Sequence, residues 1–249
     1  MKAVVLNLAR RPERLKRFLD WNARQGIAFE VVPAVDGATI DRTALVAEGV
    51  LDADNAAFSD GALGNALSHR AQWQACVADN WPRLVFEDDA CLHSTFGAQM
   101  PEMIAALAGC DMLMFGYNTD AALTVALPDN MLAALRFGSV GMVGLEFCRN
   151  FADSGEPRAK SALHRTIMAW GSIAYAVSPH GARRLLDACF PLSAARPVVS
   201  HAEGRAIPPV ALDGMINVAL QAGRVQAQAC FPPLAISPND LSDVSVPSA

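Results

Sequence analysis

Residues 3–33 read AVVLNLARRPERLKRFLDWNARQGIAFEVVP, and the fold class turns on this stretch. Ala3 to Leu8 is a short apolar run bounded by polar residues, the pattern of a buried strand. Pro12 suits the first turn of a helix, where a missing N–H leaves no bond unmade. Leu15, Phe18 and Leu19 supply one apolar face at helical spacing, and Gly26 is a stop signal. Ala28 to Pro33 (AFEVVP) predicts a second strand, followed by the turn residues Asp36 and Gly37. Strand, helix and strand within about 33 residues make the βαβ unit of a parallel sheet, normally right-handed.

The rest of the chain continues the alternation. Ser59 or Asp60 can cap a helix over about 62–79. Trp81 and Pro82 break it, and Leu84 to Phe86 forms the next strand. A helix over about 97–108 leads to a buried strand at Met112 to Gly116. Residues 117–170 show no clean periodicity; they hold GSVGMVG (138–144) and DSGEPRAKS (153–161). Such a gap reads as a functional loop region or a sheet edge with a weak pattern. Ser172 to Ser178 predicts a strand, and Pro179 opens a helix carrying Ala182, Leu185 and Leu186. Pro191 to Pro209 reads as loop, 213–222 as helix, 227–231 as a short strand and the tail beyond Pro232 as irregular. Alternating strands and helices predict an α/β fold, organised as one domain over 1–249.

The 249 residues are 52% hydrophobic and 18% charged, a globular composition with room for a sizeable core. A formal charge of -5 speaks against a nucleic-acid partner, which usually meets a basic surface. The six cysteines form no C-x-x-C pair, so buried reduced thiols are expected rather than a zinc site or disulfide framework. MKAVVLNLARRPERLK does not read as a secretory signal, because arginines stand where a small-residue cleavage site should be. No window nears the ~18 apolar residues of a membrane span. A cytoplasmic protein is expected, with at most peripheral contact at the inner face of a membrane.

Three clusters carry possible chemistry. Glu87, Asp88 and Asp89 follow the strand at 84–86, and ligands of an open α/β sheet sit beyond the carboxyl ends of strands. Packed carboxylates suit a hard cation such as Mn²⁺ or Mg²⁺; a solvated strand end is the alternative, and the acids alone do not decide. Arg10, Arg11, Arg14 and Arg17 gather at the first strand-to-helix turn, where backbone N–H groups also favour anions. A phosphate contact and a solvated basic face both remain open. Ser68 and His69 lie within LSHRAQW (67–73), where a packed helix position is as natural as a site. No G-x-G-x-x-G, P-loop, H-E-x-x-H or G-x-S-x-G motif is present.

In order, VVLNLARRPERLKRF (4–18), AFEVVPAVDG (28–37), GALGNALSHRAQW (61–73), RLVFEDDACL (83–92), DMLMFG (111–116), WGSIAYAVSPHGARRLL (170–186) and PPVALDGMI (208–216) resemble glycosyltransferase family 25. LSDVS (241–245) fits as well. These are bacterial lipopolysaccharide and lipooligosaccharide glycosyltransferases, with collagen-modifying relatives. The chain departs from the pattern at Asn65, where G-x-x-G-C-x-x-S-H carries cysteine. The resemblance implies a GT-A-like, Rossmann-type, mostly parallel sheet flanked by helices. The nucleotide-sugar half would be about 1–116 and the acceptor half about 117–249.

The implied activity moves a hexose, galactose from UDP-galactose, with inversion, to a saccharide or lipid-linked saccharide acceptor. It also implies Mn²⁺ or Mg²⁺ held by Glu87 and Asp89, with Asp88 beside the nucleotide. Strand alternation sends Glu87 and Asp89 to one side if the strand persists that far. Asn7, Arg11, Arg14, Ser68 and His69 would line the donor site, and Asp213 would act as general base. Two alternatives use the same acids or scaffold: a metal-dependent nucleotidyltransferase or phosphohydrolase, and a sugar-nucleotide-binding protein without turnover.

Overall fold

In the computed structural model, which describes residues 1–137, 144–154 and 160–238, the chain opens with the βαβ unit that its sequence predicts. β1 (Lys2–Asn7) and β2 (Phe29–Pro33) pair in parallel, from Ala3 against Phe29 to Asn7 against Pro33. Between them α1 (Pro12–Asn22) starts on Pro12 and buries Phe18. Gly26 takes the left-handed conformation, φ 66°, at the exit. After α2 (Arg42–Ala47) comes α3 (Asp60–Asp79), capped by the Ser59 side chain on the Ala62 N–H and closed by left-handed Asn80. β3 (Arg83–Glu87) then pairs in parallel with the other edge of β1, bringing Glu87 opposite Leu6.

β4 (Cys91–Leu92), α4 (Phe96–Ile104) and β5 (Met112–Gly116) follow. The helix expected over 97–108 ends at Ile104 and finishes as a 3₁₀ turn over Ala105–Gly109. The stretch without clean periodicity holds β6 (Leu123–Ala126), β7 (Leu132–Leu135), α5 (Leu145–Asp153) and β8 (Ala162–Met168). The three strands lie at one edge of the sheet, whereas α5 packs against α1 and β4, and Arg165 and His164 interrupt any apolar rhythm in β8. Residues 138–143 of GSVGMVG, residues 155–159 of DSGEPRAKS and the whole of LSDVS lie outside the described residues.

β9 (Ala174–Val177) and α6 (Pro179–Cys189) match the sequence expectation. The Pro-rich segment expected as loop carries a small hairpin, β10 (Val198–Ser200) with β11 (Arg205–Ile207). α7 (Leu212–Gln221) and β12 (Ala227–Phe231) follow. The tail expected to be irregular pairs briefly as β13 (Ala235–Ile236), with β4 and β5.

The main sheet runs β2-β1-β3-β9-β5-β12-β8-β6-β7. It is mixed: β2, β1 and β3 are mutually parallel, as are β5 and β12, while β9 lies antiparallel between β3 and β5. Helices flank the sheet, an α/β arrangement of the Rossmann-like kind. One core, with Trp73, Val85 and Tyr175, packs under α3, α6 and α7. The other, with Phe18, Phe86, Phe96 and Phe115, packs under α1 and α4 in tilted and edge-to-face ring contacts. All six cysteines are free thiols, five of them buried. Among the described residues no helix is long and apolar enough to cross a membrane.

Candidate functional site

The carboxyl ends of β1 and β3 lie side by side, and the first polar residues beyond them meet there. Alternation along β3 sends Arg83 and Glu87 toward α3, where Arg83 donates to Gln72 and Glu87 meets His69. The strand ends at Glu87. Asp88 and Asp89 sit in a turn closed by the Ala90 N–H on the Glu87 carbonyl, so alternation does not carry through to Asp89. The acids therefore split between two sets of partners.

Asp88 faces α1. Its Oδ2 accepts from Asn7 Nδ2 at 2.6 Å, and its Oδ1 accepts from Arg14 Nε at 2.7 Å. The same guanidinium lies 3.1 Å from Asp89. Asn7 also donates to the Arg11 carbonyl, which ties the end of β1 to the start of α1. Burial works against the charge of Arg14, but Asp89 and Asp88 outweigh it and hold the guanidinium firmly protonated. Burial raises the Asp88 carboxyl above its ordinary value despite the pull of Arg14 and Asn7.

Glu87 belongs to a different network. Its Oε1 accepts from Ser172 Oγ at 2.7 Å and faces His69 Nε2 at 3.2 Å and Asn65 Nδ2 at 3.4 Å. Burial would raise this carboxyl, but His69, Ser172 and Asn65 more than offset it and bring the pKa down to about 2. Glu87 is therefore a fixed anion at neutral pH. His69 is fully buried behind it, with Nδ1 2.9 Å from the Tyr175 hydroxyl.

The remaining expected residues take distinct places. Ser68 lies in the wall of the cleft, but its hydroxyl accepts from the Val35 N–H and donates to the Gly64 carbonyl, pinning α3 to the loop after β2. Arg11 stands at the N-cap position of α1 without a side-chain cap bond, and its guanidinium lies 3.7 Å from Glu13. Arg17 stacks on Trp21, 5.2 Å from its ring centre. Asp213 accepts from the Gly171 and Gly214 N–H groups, each at 2.7 Å. It thus holds the loop whose next residue, Ser172, reaches Glu87. Desolvation raises the Asp213 carboxyl above its ordinary value, against those backbone bonds.

Arg10, Arg14, Asn65, Glu87, Asp88 and Asp89 share one cleft of about 90 Å³. Ser172, Tyr175 and Trp73 are site residues that the sequence reading did not single out, and Asn65 entered it only as a departure from the family pattern. Their signal was present only as position within the GALGNALSHRAQW and WGSIAYAVS stretches. The cleft's donor chemistry, carboxylate oxygens, suits a hard divalent cation. Its arrangement does not: Arg14 stands between Asp88 and Asp89, and Glu87 Oε1 is held by protein donors. Among the described residues no three His, Cys, Asp or Glu side chains converge to hold a metal ion.

The family model described as glycosyltransferase family 25 (LPS biosynthesis protein) matches residues 1–198. The chain belongs to glycosyltransferase family 25. Within family 25 it is similar to the rat "probable inactive glycosyltransferase 25 family member 3", 28% identical over 179 residues, which cover 66% of this chain and 30% of the rat protein. The mouse protein named inactive glycosyltransferase 25 family member 3 is also 28% identical over 179 residues, 29% of its length. The human protein of that name is 33% identical over 108 residues, 40% of this chain and 18% of the human one. The chain thus spans under a third of the length of these relatives.

Proposed function

We propose that this chain is a nucleotide-sugar-dependent hexosyltransferase, moving galactose from UDP-galactose to a saccharide hydroxyl of lipopolysaccharide or another surface glycan, with inversion. The observation that carries this reading is the cleft at the ends of β1 and β3, where Arg14 and Arg10 stand beside three acids. Guanidinium groups at a strand-to-helix turn suit a diphosphate, and the carboxylates suit the hydroxyls of a sugar. Family membership supports the reaction class. The acceptor, lipid-linked or free, would be met at the cytoplasmic face of the membrane.

Asp213 is the proposed general base on the acceptor hydroxyl. Its carboxyl is raised toward the pH at which a base works, and the loop it holds carries a donor to Glu87. Asp213→Asn is expected to lower kcat by roughly 100-fold or more while the affinity for UDP holds. Equal loss of both would assign Asp213 to holding the loop instead.

The direct test is calorimetric titration with UDP and a panel of UDP-sugars, with Mn²⁺ and with chelator as separate arms, followed by product analysis with saccharide acceptors. No binding of UDP or any UDP-sugar in either arm overturns the reading. The names of the relatives favour a second one: nucleotide-sugar binding without turnover. It predicts binding with no transfer product for any acceptor.

A further inference from the structure

The donors that meet Glu87 converge on a single oxygen. His69, Ser172 and Asn65 all face Oε1, and among the described residues none reaches Oε2. Glu87 lines the cleft, so its second oxygen is an open acceptor at the wall of the site.

Behind Oε1 runs a hydrogen-bond chain with one sense. Indole Nε1 can only donate, and Trp73 donates to the Tyr175 hydroxyl at 2.9 Å. That hydroxyl has one proton of its own, and its other partner is His69 Nδ1 at 2.9 Å. Nδ1 is the acceptor within reach of the tyrosine proton among the described residues, so a buried hydroxyl that satisfies its proton donates to Nδ1. With Nδ1 accepting, the single proton of a neutral His69 ring belongs on Nε2, which lies 3.2 Å from Glu87 Oε1 and 3.4 Å from Ser172 Oγ. Trp73, His69 and Tyr175 are all fully buried, so bulk water offers no competing partner that would reverse the chain.

We propose that Glu87 reads the transferred sugar, its Oε2 accepting from a sugar hydroxyl, and that Tyr175 is the positioning residue that aims this carboxylate by setting the tautomer of His69. The proposal rests on the nucleotide-sugar reading above. Its chemistry follows from what each side of the cleft can accept. Phosphate oxygens are anionic acceptors and belong beside Arg14 and Arg10; a carboxylate oxygen repels them and takes a neutral donor instead. A hexose hydroxyl is such a donor.

Two measurements test the two parts. Nitrogen NMR of the histidine rings at pH 7.5, without ligand, is expected to place the His69 proton on Nε2 in the natural chain. In Tyr175→Phe, which keeps the ring but removes the hydroxyl, Nδ1 loses its donor and a share of the ring moves to the other tautomer. A proton on Nδ1 in the natural chain, or no change in the variant, overturns the positioning role. This arm needs no substrate. The second arm compares Kd for UDP-galactose with Kd for UDP, in chelator. Glu87→Gln and Tyr175→Phe are each expected to worsen this ratio, Glu87→Gln by on the order of tenfold. A deoxygalactose donor lacking the hydroxyl concerned should show no further loss in Glu87→Gln. An unchanged ratio, or Mn²⁺ binding seen by electron paramagnetic resonance that vanishes in Glu87→Gln, overturns the sugar-reading role. If the natural chain binds neither UDP nor UDP-galactose, the nucleotide-sugar reading falls and takes the sugar-reading role with it, while the NMR arm still decides Tyr175.

Discussion

Glu87 and Asp88 are adjacent, yet their surroundings push their protons in opposite directions. Three donors bring Glu87 down to about 2 from an ordinary 4.5, whereas burial lifts Asp88 above its ordinary 3.8. The signs have consequences for stability. A depressed carboxyl stabilises the fold above its unfolded value, so the Glu87 contribution is complete above pH 4.5 and is lost as the pH falls toward 2. Asp88 works the other way, contributing most below 3.8 and losing that contribution as the pH rises through its raised value. Denaturant midpoints of the natural chain are expected to fall between pH 4.5 and 2. In Glu87→Gln that fall should be visibly shallower; curves of equal slope would refute the assignment. At the same scale, Arg14→Ala is expected to weaken UDP binding by roughly tenfold or more, since it removes the charge nearest the acids and leaves two carboxylates facing the phosphates. Sequence alone marked the acids and Arg14 as neighbours in function. It did not show that Glu87 would leave the other two and join Ser172, because that depends on where β3 stops.

At the scale of elements, α3 reaches the site only because two backbones come close. A Cβ on Gly37 would lie 2.1 Å from the Asp60 carbonyl oxygen, and one on Gly64 would lie 2.6 Å from that of Val35. The Ser68 bonds to the Val35 N–H and the Gly64 carbonyl lock the same contact. Gly64→Ala is therefore expected to destabilise the fold by about 1–3 kcal/mol in a urea titration, against a helix-propensity gain of under about 1 kcal/mol. A stabilised variant would show that the contact yields. Elements with local signals were legible: Ser59 caps α3, Pro12 opens α1, Ser178 and Pro179 open α6. The β6–β7 and β10–β11 hairpins were not, because short strands that are partly exposed carry little apolar rhythm and take their definition from a partner strand.

Across the whole molecule, the sheet interleaves distant parts of the chain. β9 lies between β3 and β5, and β12, beyond the last residue of the family match, lies between β5 and β8. A fragment of residues 1–198 therefore lacks a strand inside the sheet as well as α7, with the buried Leu212, Ile216 and Ala229 of one core. It is expected to show no cooperative thermal transition by circular dichroism, and a sharply melting fragment would contradict this. The family resemblance, the βαβ start and the acid cluster were all present in sequence order, because each rests on local pattern: apolar period, turn residues, adjacent charges. The insertion of antiparallel β9, the partition of the acids between Arg14 and His69, and the chain from Trp73 through Tyr175 to Glu87 were decided by the tertiary structure alone. His69 and Tyr175 are 106 positions apart. Their contact exists because β9 pairs with β3 under α3, and no local pattern in the sequence encodes a hydrogen bond between two residues that only the closed sheet brings together.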